Sequence, residues 1–292
     1  MVPKLIPTTF AILTLTSLAN AWGTLGHKTV ANVAIQFLLP QALTSVSSIL
    51  SADPFKPTPN PTLVDVANWA DTYRYTTAGK FSAGFHYVDA NDSPPTSCGV
   101  DFTRDCSGAG GCIITAIKLE ALQDAECDPN VTQTQRVQDG RLTAQHTAEA
   151  LKFLVHFIGD VTQPLHDEAL AVGGNDIDIL WNGASNNLHH VWDTEMITQL
   201  AGSDTPANLN AWTGAIVNEI RTGAYANQVS SWFSCSDITQ AQACATAWAT
   251  DANALVCSYV LNPNPAAQEL SGAYYTGAAP IIQMQIAKGV WS

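Results

Sequence analysis

The sequence predicts an all-α protein, a single mostly helical domain with long loops tied by disulfide bonds. Apolar residues recur at helical spacing through most of the chain, whereas strand-like runs are few. Segments rich in Pro, Gly and Cys, such as 91–112, separate the helical runs and have the composition of loops. A chain of this kind buries its apolar stripes by packing helix on helix.

The first 21 residues have the features of a secretory signal peptide. Lys4 precedes the apolar run FAILTLTSLA, and Ala19-Asn20-Ala21 fits the small-residue pattern of a cleavage site. The run is too short for a comfortable bilayer span, and no later segment reaches that length. We therefore expect a secreted protein with no membrane anchor, whose mature form is one domain over residues 22–292.

In the first half of the mature chain, helical spacing predicts a helix over TVANVAIQFLL that stops at Pro40, and a second over QALTSVSSIL. The Pro-rich segment 51–62 is a surface loop by its turn residues. LVDVANWADTYRYT then reads as an amphipathic helix with Asp71 and Arg74, three residues apart, on one face. FHYVDA, residues 85–90, is short, aromatic and extended in character.

Further helices are predicted from residue 113 onward. IITAIKLEALQDA is one, and the next runs from about Leu142 along an apolar stripe until Pro164 ends it. A Gly- and Asn-rich connection follows. The remaining helical runs are DTEMITQL, LNAWTGAIVNEI, QACATAWATDANALVCSYV and APIIQMQIAK.

The charge of the chain restricts what it can bind. The 292 residues include 12 Lys and Arg against 25 Asp and Glu. Only Lys4 belongs to the signal peptide, so the mature domain has 11 basic and 25 acidic residues and a net charge of −14. This composition excludes binding of duplex phosphates through a broad basic face. A polyanionic substrate would need a local source of positive charge, for which metal ions are the obvious choice.

Seven cysteines in a secreted chain indicate disulfides with one cysteine left over. The spacings allow two local bridges, Cys106–Cys112 and Cys235–Cys244, and one between distant segments, Cys98–Cys257, which leaves Cys127 unpaired.

Two Asn-x-Ser/Thr patterns mark candidate glycosylation sites, at Asn91 and Asn130.

The stretch from His156 to Asp193 concentrates groups that bind metal. His156 and Asp160 are four residues apart on a helical run, His166 follows Pro164, and His189 and Asp193 repeat the four-residue spacing. One such pair is more often a buried hydrogen-bonded pair than a metal site. Together, these groups exceed what a single zinc ion needs, and they favour a cluster of metals.

Five motifs carry a resemblance to a known family. WGTLGH, VANWAD, FHYVDA, HFIGDVTQPLHDE and NNLHHVWD are similar to motifs of the secreted zinc-dependent single-strand-specific nucleases of fungi and plants, which are structurally related to bacterial zinc phospholipase C. The resemblance extends from Trp22 nearly to the end of the chain. It implies the phospholipase C and single-strand nuclease type of helical fold, with three zinc ions in a cleft.

The resemblance also implies how the ligands are shared among the three zinc ions. The first zinc would be bound by Asp71, His86, His156 and Asp160, the second by His166, His189 and Asp193, and the third by His27, by Asp160 as a bridge, and by the amino group and carbonyl of Trp22. By residue type alone, His27 would be an ordinary residue near the chain end. An amide nitrogen is a poor zinc ligand because its lone pair is delocalised, so removal of the signal peptide would complete the third site.

The implied activity is hydrolysis of phosphodiester bonds in single-stranded DNA and RNA to 5′-phosphate products, together with 3′-nucleotidase activity. A zinc-activated water would attack phosphorus. Asp71 would orient the water, and Arg74 would hold a phosphate oxygen. We expect the protein to be a monomer. The positions that match the family's base pocket are Tyr87, Asp89, Val172 and Asn175, although Tyr87 and Val172 are also compatible with core packing.

Two alternatives remain open from the sequence. A phospholipase C-like zinc phosphodiesterase would use the same metals on a lipid headgroup, but FHYVDA and AVGGN favour the nuclease because they supply a base pocket. A secreted protein that binds metal without catalysis would need a disabled site, and no ligand position is substituted. Thr162 departs from the family, which often has another histidine there, but that position is not a ligand.

Overall fold

The computed structural model of the protein describes residues 22–108, 110–118, 142–232, 235 and 238–291. In these residues helices dominate, and the β-structure in named strands is one two-stranded sheet, so the predicted all-α class is confirmed. Cys127 and Asn130 lie outside the described residues. None of the described helices is both long and apolar enough to cross a membrane.

The α-helices are α1 (Gly23–Ile35), α2 (Pro40–Ala52), α3 (Leu63–Val66), α4 (Trp69–Tyr73), α5 (Phe102–Asp105), α6 (Ile113–Lys118), α7 (Ala144–Asp160), α8 (Leu188–His190), α9 (Met196–Ala201), α10 (Pro206–Arg221), α11 (Val229–Trp232), α12 (Ala241–Leu255) and α13 (Ala273–Lys288). Short 3-10 helices occupy Lys80–His86, Pro164–Asp167 and Ile238–Gln240, and π-helical segments occupy Val191–Glu195 and Val256–Val260. Strands β1 (Asp178–Trp181) and β2 (Ala184–Asn187) pair antiparallel.

The long helix α7 crosses the interior. The side chain of Thr143 accepts a hydrogen bond from the His146 amide and caps its first turn. Phe153 and Phe157 stack on each other within one apolar cluster, while Leu151 belongs to a neighbouring cluster. Because α7 is packed between these clusters, its last turn is buried, and His156 and Asp160 are fully inaccessible to solvent.

One predicted helix is wrong in its continuity. LVDVANWADTYRYT is divided into α3 and α4 because the Ala67 carbonyl accepts a hydrogen bond from Nδ1 of His156, at 2.7 Å. In an unbroken helix that carbonyl would accept from the amide of residue 71 instead. A contact from another helix therefore overrides the local helical pattern.

The predicted extended segment FHYVDA is only partly extended. A 3-10 helix, Lys80–His86, ends inside it, and Tyr87 is the first extended residue, with φ −156° and ψ 167°. The loop predicted over residues 91–112 is interrupted by the short helix α5.

The β1–β2 hairpin is absent from the sequence prediction, although its turn carries a recognisable signal. Asn182 and Gly183 have φ values of 52° and 77°, as a two-residue hairpin turn of type I′ requires. An Asn-Gly pair between Asp178–Trp181 and Ala184–Asn187 is typical of this turn. By composition alone, the segment that contains β1 and β2 reads only as a Gly- and Asn-rich connection.

Three disulfides join the cysteine pairs that the sequence analysis names as candidates. Cys98–Cys257 links residues 159 positions apart, and so ties the loop after the FHYVDA segment to the end of α12. Cys106–Cys112 and Cys235–Cys244 close local loops, because their cysteines are 6 and 9 residues apart. Asn91 is exposed, in the loop that precedes Cys98.

Candidate metal centre

Seven separate elements deliver eight buried His and Asp side chains to one region, and each of these residues is at most 5% exposed. They form three groups, and within each group the ligand atoms lie within 4.8 Å of one another. The groups are His27, His156 and Asp160; Asp71, His86 and His156; and His166, His189 and Asp193.

Asp71, His86 and His156 form the first group, and Asp160 contacts it. Nε2 of His156 lies 3.5 Å from a carboxylate oxygen of Asp71 and 3.3 Å from one of Asp160. Nδ1 of His86 lies 3.0 Å from the same Asp160 oxygen. Because Nδ1 of His156 donates to the Ala67 carbonyl, its Nε2 lone pair is directed at the carboxylates.

His166 and His189 face each other in the second group. Nδ1 of His166 donates to the His86 carbonyl and Nδ1 of His189 to the Gly173 carbonyl, both at 2.6 Å. The two Nε2 atoms are 3.1 Å apart, so two ring lone pairs point at each other unless a proton or a cation lies between them. Asp193 supplies a carboxylate oxygen 3.1 Å from Nε2 of His189.

His27 completes the third group. Its Nε2 lies 3.1 Å from the second carboxylate oxygen of Asp160, and its ring stacks on that of His156 with centroids 3.9 Å apart. Trp22 precedes α1 and is fully buried. Its indole donates to Oγ1 of Thr162, at 3.0 Å, and its carbonyl accepts from the Gly26 amide. The hydroxyl of Thr162 thus anchors the side chain of Trp22 beside His27.

Several of these buried atoms lack a hydrogen-bond partner. An unpaired buried polar atom costs about 1–3 kcal/mol, so a concentration of such atoms indicates a missing partner. The contacts of His27 with Asp160 and of His189 with Asp193 are short, but they are not aligned as hydrogen bonds. In the three groups the atoms without a hydrogen bond are both ring nitrogens of His27, both carboxylate oxygens of Asp71, Nε2 of His86, Oδ1 of Asp160 and Oδ2 of Asp193. Imidazole nitrogens and carboxylate oxygens are the donors that zinc takes, and the donor set therefore fits zinc.

The electrostatics of the first group are strongly coupled. Burial lowers the pKa of His156, but Asp160 and Asp71 outweigh burial and raise this pKa to about 10. Burial raises the pKa of Asp71, but His156 outweighs it and lowers this pKa to about 2. Burial also lowers the pKa of His86 to about 4. Without a metal, a proton on His156 balances the carboxylates, and a cation that binds here must displace that proton.

A cleft of about 430 Å³ opens onto the metal groups. His86, His166 and His189 lie in its wall. All five residues predicted to contact the substrate line the same cleft, namely Arg74, Tyr87, Asp89, Val172 and Asn175.

Tyr87 and Val172 project into this cleft and are not core residues, because they are 41% and 64% exposed. Val172 has φ 57°, and Gly173 and Gly174 follow with φ 60° and 80°. A β-branched residue at positive φ is strained, and such strain concentrates at functional sites. Nδ2 of Asn175 donates a hydrogen bond to the Val172 carbonyl at 2.8 Å and stabilises this turn.

Among the residues that line this cleft, the one Arg or Lys is Arg74. Its Nη2 lies 3.4 Å from Asp71, and its guanidinium carbon lies 5.1 Å from the centroid of the Tyr75 ring. Burial and the charge of Asp89 raise the pKa of Tyr87, and the charge of Arg74 opposes them. The guanidinium group therefore contacts a metal-group carboxylate and the ring of Tyr75, in the same cleft as Tyr87.

Sequence reasoning missed several residues that shape the site. Gln163 donates to Asp193 at 2.6 Å, and its place inside the motif HFIGDVTQPLHDE is the one sequence signal for it. Tyr75 and Glu168 line the cleft, and each is adjacent to a residue or motif that the analysis named. Asp92, Cys98 and Glu168 also lie close together, but Cys98 is in a disulfide and offers no thiolate.

Comparison with known proteins shows which family the chain is related to. The family model described as S1/P1 Nuclease matches residues 22–291. Nuclease PA3 of Penicillium sp is 44% identical over 271 residues, which are 92% of this chain and 93% of the relative. Nuclease S1 of Aspergillus oryzae is 40% identical over 289 residues, 98% of this chain and 94% of the relative. Endonuclease 4 of Arabidopsis thaliana is 29% identical over 288 residues, 95% of this chain and 89% of the relative. The chain belongs to the S1/P1 nuclease family.

Proposed function

We propose that this protein is a secreted, zinc-dependent endonuclease that hydrolyses single-stranded DNA and RNA to 5′-phosphate products and also acts as a 3′-nucleotidase. The observation that carries the proposal is the set of three buried His/Asp groups with unpaired donor atoms, open to a cleft that contains Arg74 and exposed aromatic rings. The names of the fungal and plant relatives support a nuclease.

Three zinc ions are proposed to occupy the groups. Asp71, His86, His156 and Asp160 would hold one, His166, His189 and Asp193 a second, and His27, Asp160 and the amino group and carbonyl of Trp22 the third. Bound zinc would supply Lewis acidity and would lower the pKa of an attacking water. The carbonyls that bind Nδ1 of three of these histidines fix the rings for ligation through Nε2.

Two residues of the chain are assigned catalytic roles. The pKa of Asp71 is about 2, so its carboxylate is ionised at neutral pH and can accept a hydrogen bond from the attacking water. Arg74, held near Asp71, can donate two parallel hydrogen bonds to a phosphate and neutralise charge that builds up during attack. Arg74 would act from the wall of the cleft, and Asp71 from the buried metal group beside it.

The preference for single strands follows from the shape of the site. A phosphate in a stacked duplex cannot reach ligands that are at most 5% exposed, whereas a base freed from its stack can enter the cleft. Tyr87 would stack on that base. Asp89 and Asn175 would offer polar contacts to its edge, and Val172 would cover its other face.

Secretion is proposed from the predicted signal peptide over residues 1–21 and from the three disulfides, which are typical of oxidising compartments. Asn91 and Asn130 are the proposed glycosylation sites. The mature protein, residues 22–292, is proposed to act as a monomeric single domain.

A digestion assay on the processed protein tests the proposal. We expect rapid cleavage of denatured DNA and of RNA, slow cleavage of duplex DNA, release of phosphate from 3′-AMP, and no hydrolysis of phosphatidylcholine. Chelation should remove these activities, and added zinc should restore them. Hydrolysis of phosphatidylcholine without cleavage of denatured DNA would favour the phospholipase C-like alternative. Full activity after verified removal of zinc would contradict the metal mechanism.

A further inference from the structure

The proposed function leaves one aromatic ring of the cleft without a role. Tyr75 lines the same cleft as His86 and Tyr87, and it is 58% exposed. A scattered exposed aromatic residue needs no explanation, but this one lies in the wall that carries the metal groups. It lies two residues after the end of α4, the helix that supplies Asp71, and its backbone amide donates to the Thr72 carbonyl at 3.4 Å.

Arg74 links the two tyrosines of the cleft. Its guanidinium carbon is 5.1 Å from the centroid of the Tyr75 ring, and Arg74 lines the same cleft as Tyr87. Nδ1 of His86, the residue before Tyr87, lies 3.7 Å from Asp71, which is three residues before Arg74. A phosphate bound by Arg74 beside these ligands therefore has an exposed aromatic ring from each of two elements within reach.

A phosphodiester has a nucleoside on each side of its phosphate. If Tyr87 stacks on the base of the upstream nucleotide, whose 3′ oxygen leaves, the downstream base has no partner among the residues assigned so far. Stacking on an aromatic ring stabilises a base without regard to its sequence, as a nuclease of broad specificity requires. We propose that Tyr75 forms a second base subsite, which binds the base of the downstream nucleotide that keeps the 5′-phosphate.

This subsite rests on the proposed nuclease function and separates its two reactions. A 3′-nucleotide has no downstream nucleoside, so it uses Tyr87 but not Tyr75. A dinucleotide uses both rings. The structure therefore predicts that Tyr75 contributes to the KM for polynucleotides and contributes nothing to the hydrolysis of 3′-nucleotides.

The test compares Tyr75→Ala and Tyr75→Phe with the wild-type zinc-loaded protein on three substrates. The substrates are adenylyl-(3′–5′)-adenosine, the same molecule without its downstream base, and 3′-AMP. We expect Tyr75→Ala to raise the KM for the complete dinucleotide about tenfold, with little change in kcat, and to leave the KM values for the other two unchanged. Tyr75→Phe keeps the ring and should behave like the wild type on all three.

The control for the cleft is Tyr87→Ala, which should raise the KM for all three substrates because each contains the upstream base. An equal rise for Tyr75→Ala on all three would mean that Tyr75 acts through Arg74 or the metal groups, and the subsite assignment would be wrong. No change on any substrate would overturn it equally. If the wild-type protein hydrolyses none of the three, the proposed function itself fails, which is a different result.

Discussion

Individual histidines in the centre are oriented by backbone carbonyls. His156, His166 and His189 each donate from Nδ1 to a carbonyl, at 2.7, 2.6 and 2.6 Å respectively. These bonds fix both the tautomer and the ring plane, so Nε2 is presented as a lone pair. The centre is thus organised for a cation by main-chain atoms that a sequence motif does not specify.

Gly159 provides the space for His27. A Cβ atom at position 159 would lie 2.6 Å from Nδ1 of His27 and 2.9 Å from its Cε1, closer than real contacts allow. We expect Gly159→Ala to displace the His27 ring, reduce the zinc content by one ion per chain, and lower kcat on denatured DNA about 10²-fold. Zinc analysis and steady-state kinetics on the same samples check this.

Gly214→Ala is the matched control, because a Cβ atom there meets nothing within 4 Å on helix α10. It should keep full zinc content and activity, and alanine should stabilise the helix by about 0.5–1 kcal/mol. If Gly159→Ala retains all its zinc and the wild-type kcat, His27 is not held as the third group requires.

Trp22 gives a second prediction at the residue scale. Its indole and carbonyl are engaged by Thr162 and Gly26, so the start of α1 is fixed near His27. One extra residue before Trp22 converts its amine into an amide, which has no lone pair available for zinc. We expect a protein extended by one residue to contain less zinc than the correctly processed form, by elemental analysis. Equal zinc content and equal activity in the two forms would rule out the terminal amine as a ligand.

At the scale of residues, the sequence predicts which side chains can bind metal better than it predicts where they lie in the fold. The four-residue spacing of His156 with Asp160 and of His189 with Asp193 indicates paired ligands on helical turns. His27 has no such spacing and is named only through the family resemblance. Gln163 lies inside the motif HFIGDVTQPLHDE, but amide side chains near a ligand are common, and its role follows only from the 2.6 Å contact with Asp193.

Among the elements, α7 is fixed to α2 by a buried ion pair. Nζ of Lys152 lies 2.9 Å from the carboxylate of Asp53, at the end of α2, and 3.9 Å from the centroid of the Trp69 ring. Both charged residues are at most 2% exposed. The ion pair thus joins α7, which carries His156 and Asp160, to α2, and the contact of Lys152 with Trp69 joins α7 to α4, which carries Asp71.

Removal of one partner should be costly. Lys152→Met leaves the Asp53 carboxylate buried without its cation, and we expect a loss of about 3–5 kcal/mol in the free energy of unfolding. The double substitution Lys152→Met with Asp53→Asn removes both charges and keeps an acceptor for the Phe55 amide, so it should lose much less. Denaturant unfolding of the zinc-loaded proteins measures both, and a double variant as unstable as Lys152→Met alone would contradict the account.

The β1–β2 hairpin is tied to the segment before α13 by Glu269. Its carboxylate accepts hydrogen bonds from the amides of Ser271, Gly183 and Asn182 and from the Ser271 hydroxyl, and these bonds lower its pKa from 4.5 to about 2. A lowered pKa in the folded state contributes stability above pH 4.5. That contribution is lost as the pH falls from 4.5 towards 2.

Glu269→Gln removes this charge at every pH. We expect its Tm to be below that of the wild type at pH 7, and the gap to narrow as the pH falls from 4.5 towards 2, because the wild-type carboxylate becomes protonated. Thermal unfolding of both proteins in a buffer series measures the gap, and any loss of metal affects both alike. A gap that stays constant across this pH range would show that the charge of Glu269 does not stabilise the hairpin.

Element boundaries show where local patterns fail. The repeated apolar spacing predicts α1, α7, α10 and α12, since long amphipathic helices carry a strong periodic signal. The break between α3 and α4 depends on the bond from His156 to the Ala67 carbonyl, which joins residues 89 positions apart. No local window contains that information.

Across the whole molecule, the helical class follows from the spacing of apolar residues, and the proposal of secretion rests on the first 21 residues and on cysteine usage. The described residues place three disulfides on pairs that the sequence allows, including one between positions 159 residues apart. What composition does not reveal is how an acidic chain of net charge −13 handles a polyanion. The proposed answer is that metal ions held by the unpaired nitrogen and carboxylate oxygen atoms would, together with Arg74, concentrate positive charge at the cleft.

Anomalous diffraction at the zinc absorption edge, on crystals of the processed protein, tests the central claim most directly. The account predicts three peaks per chain, one in contact with Asp71, His86, His156 and Asp160, one with His166, His189 and Asp193, and one with His27, Asp160 and Trp22. Absence of peaks from these positions in a fully active sample would contradict it.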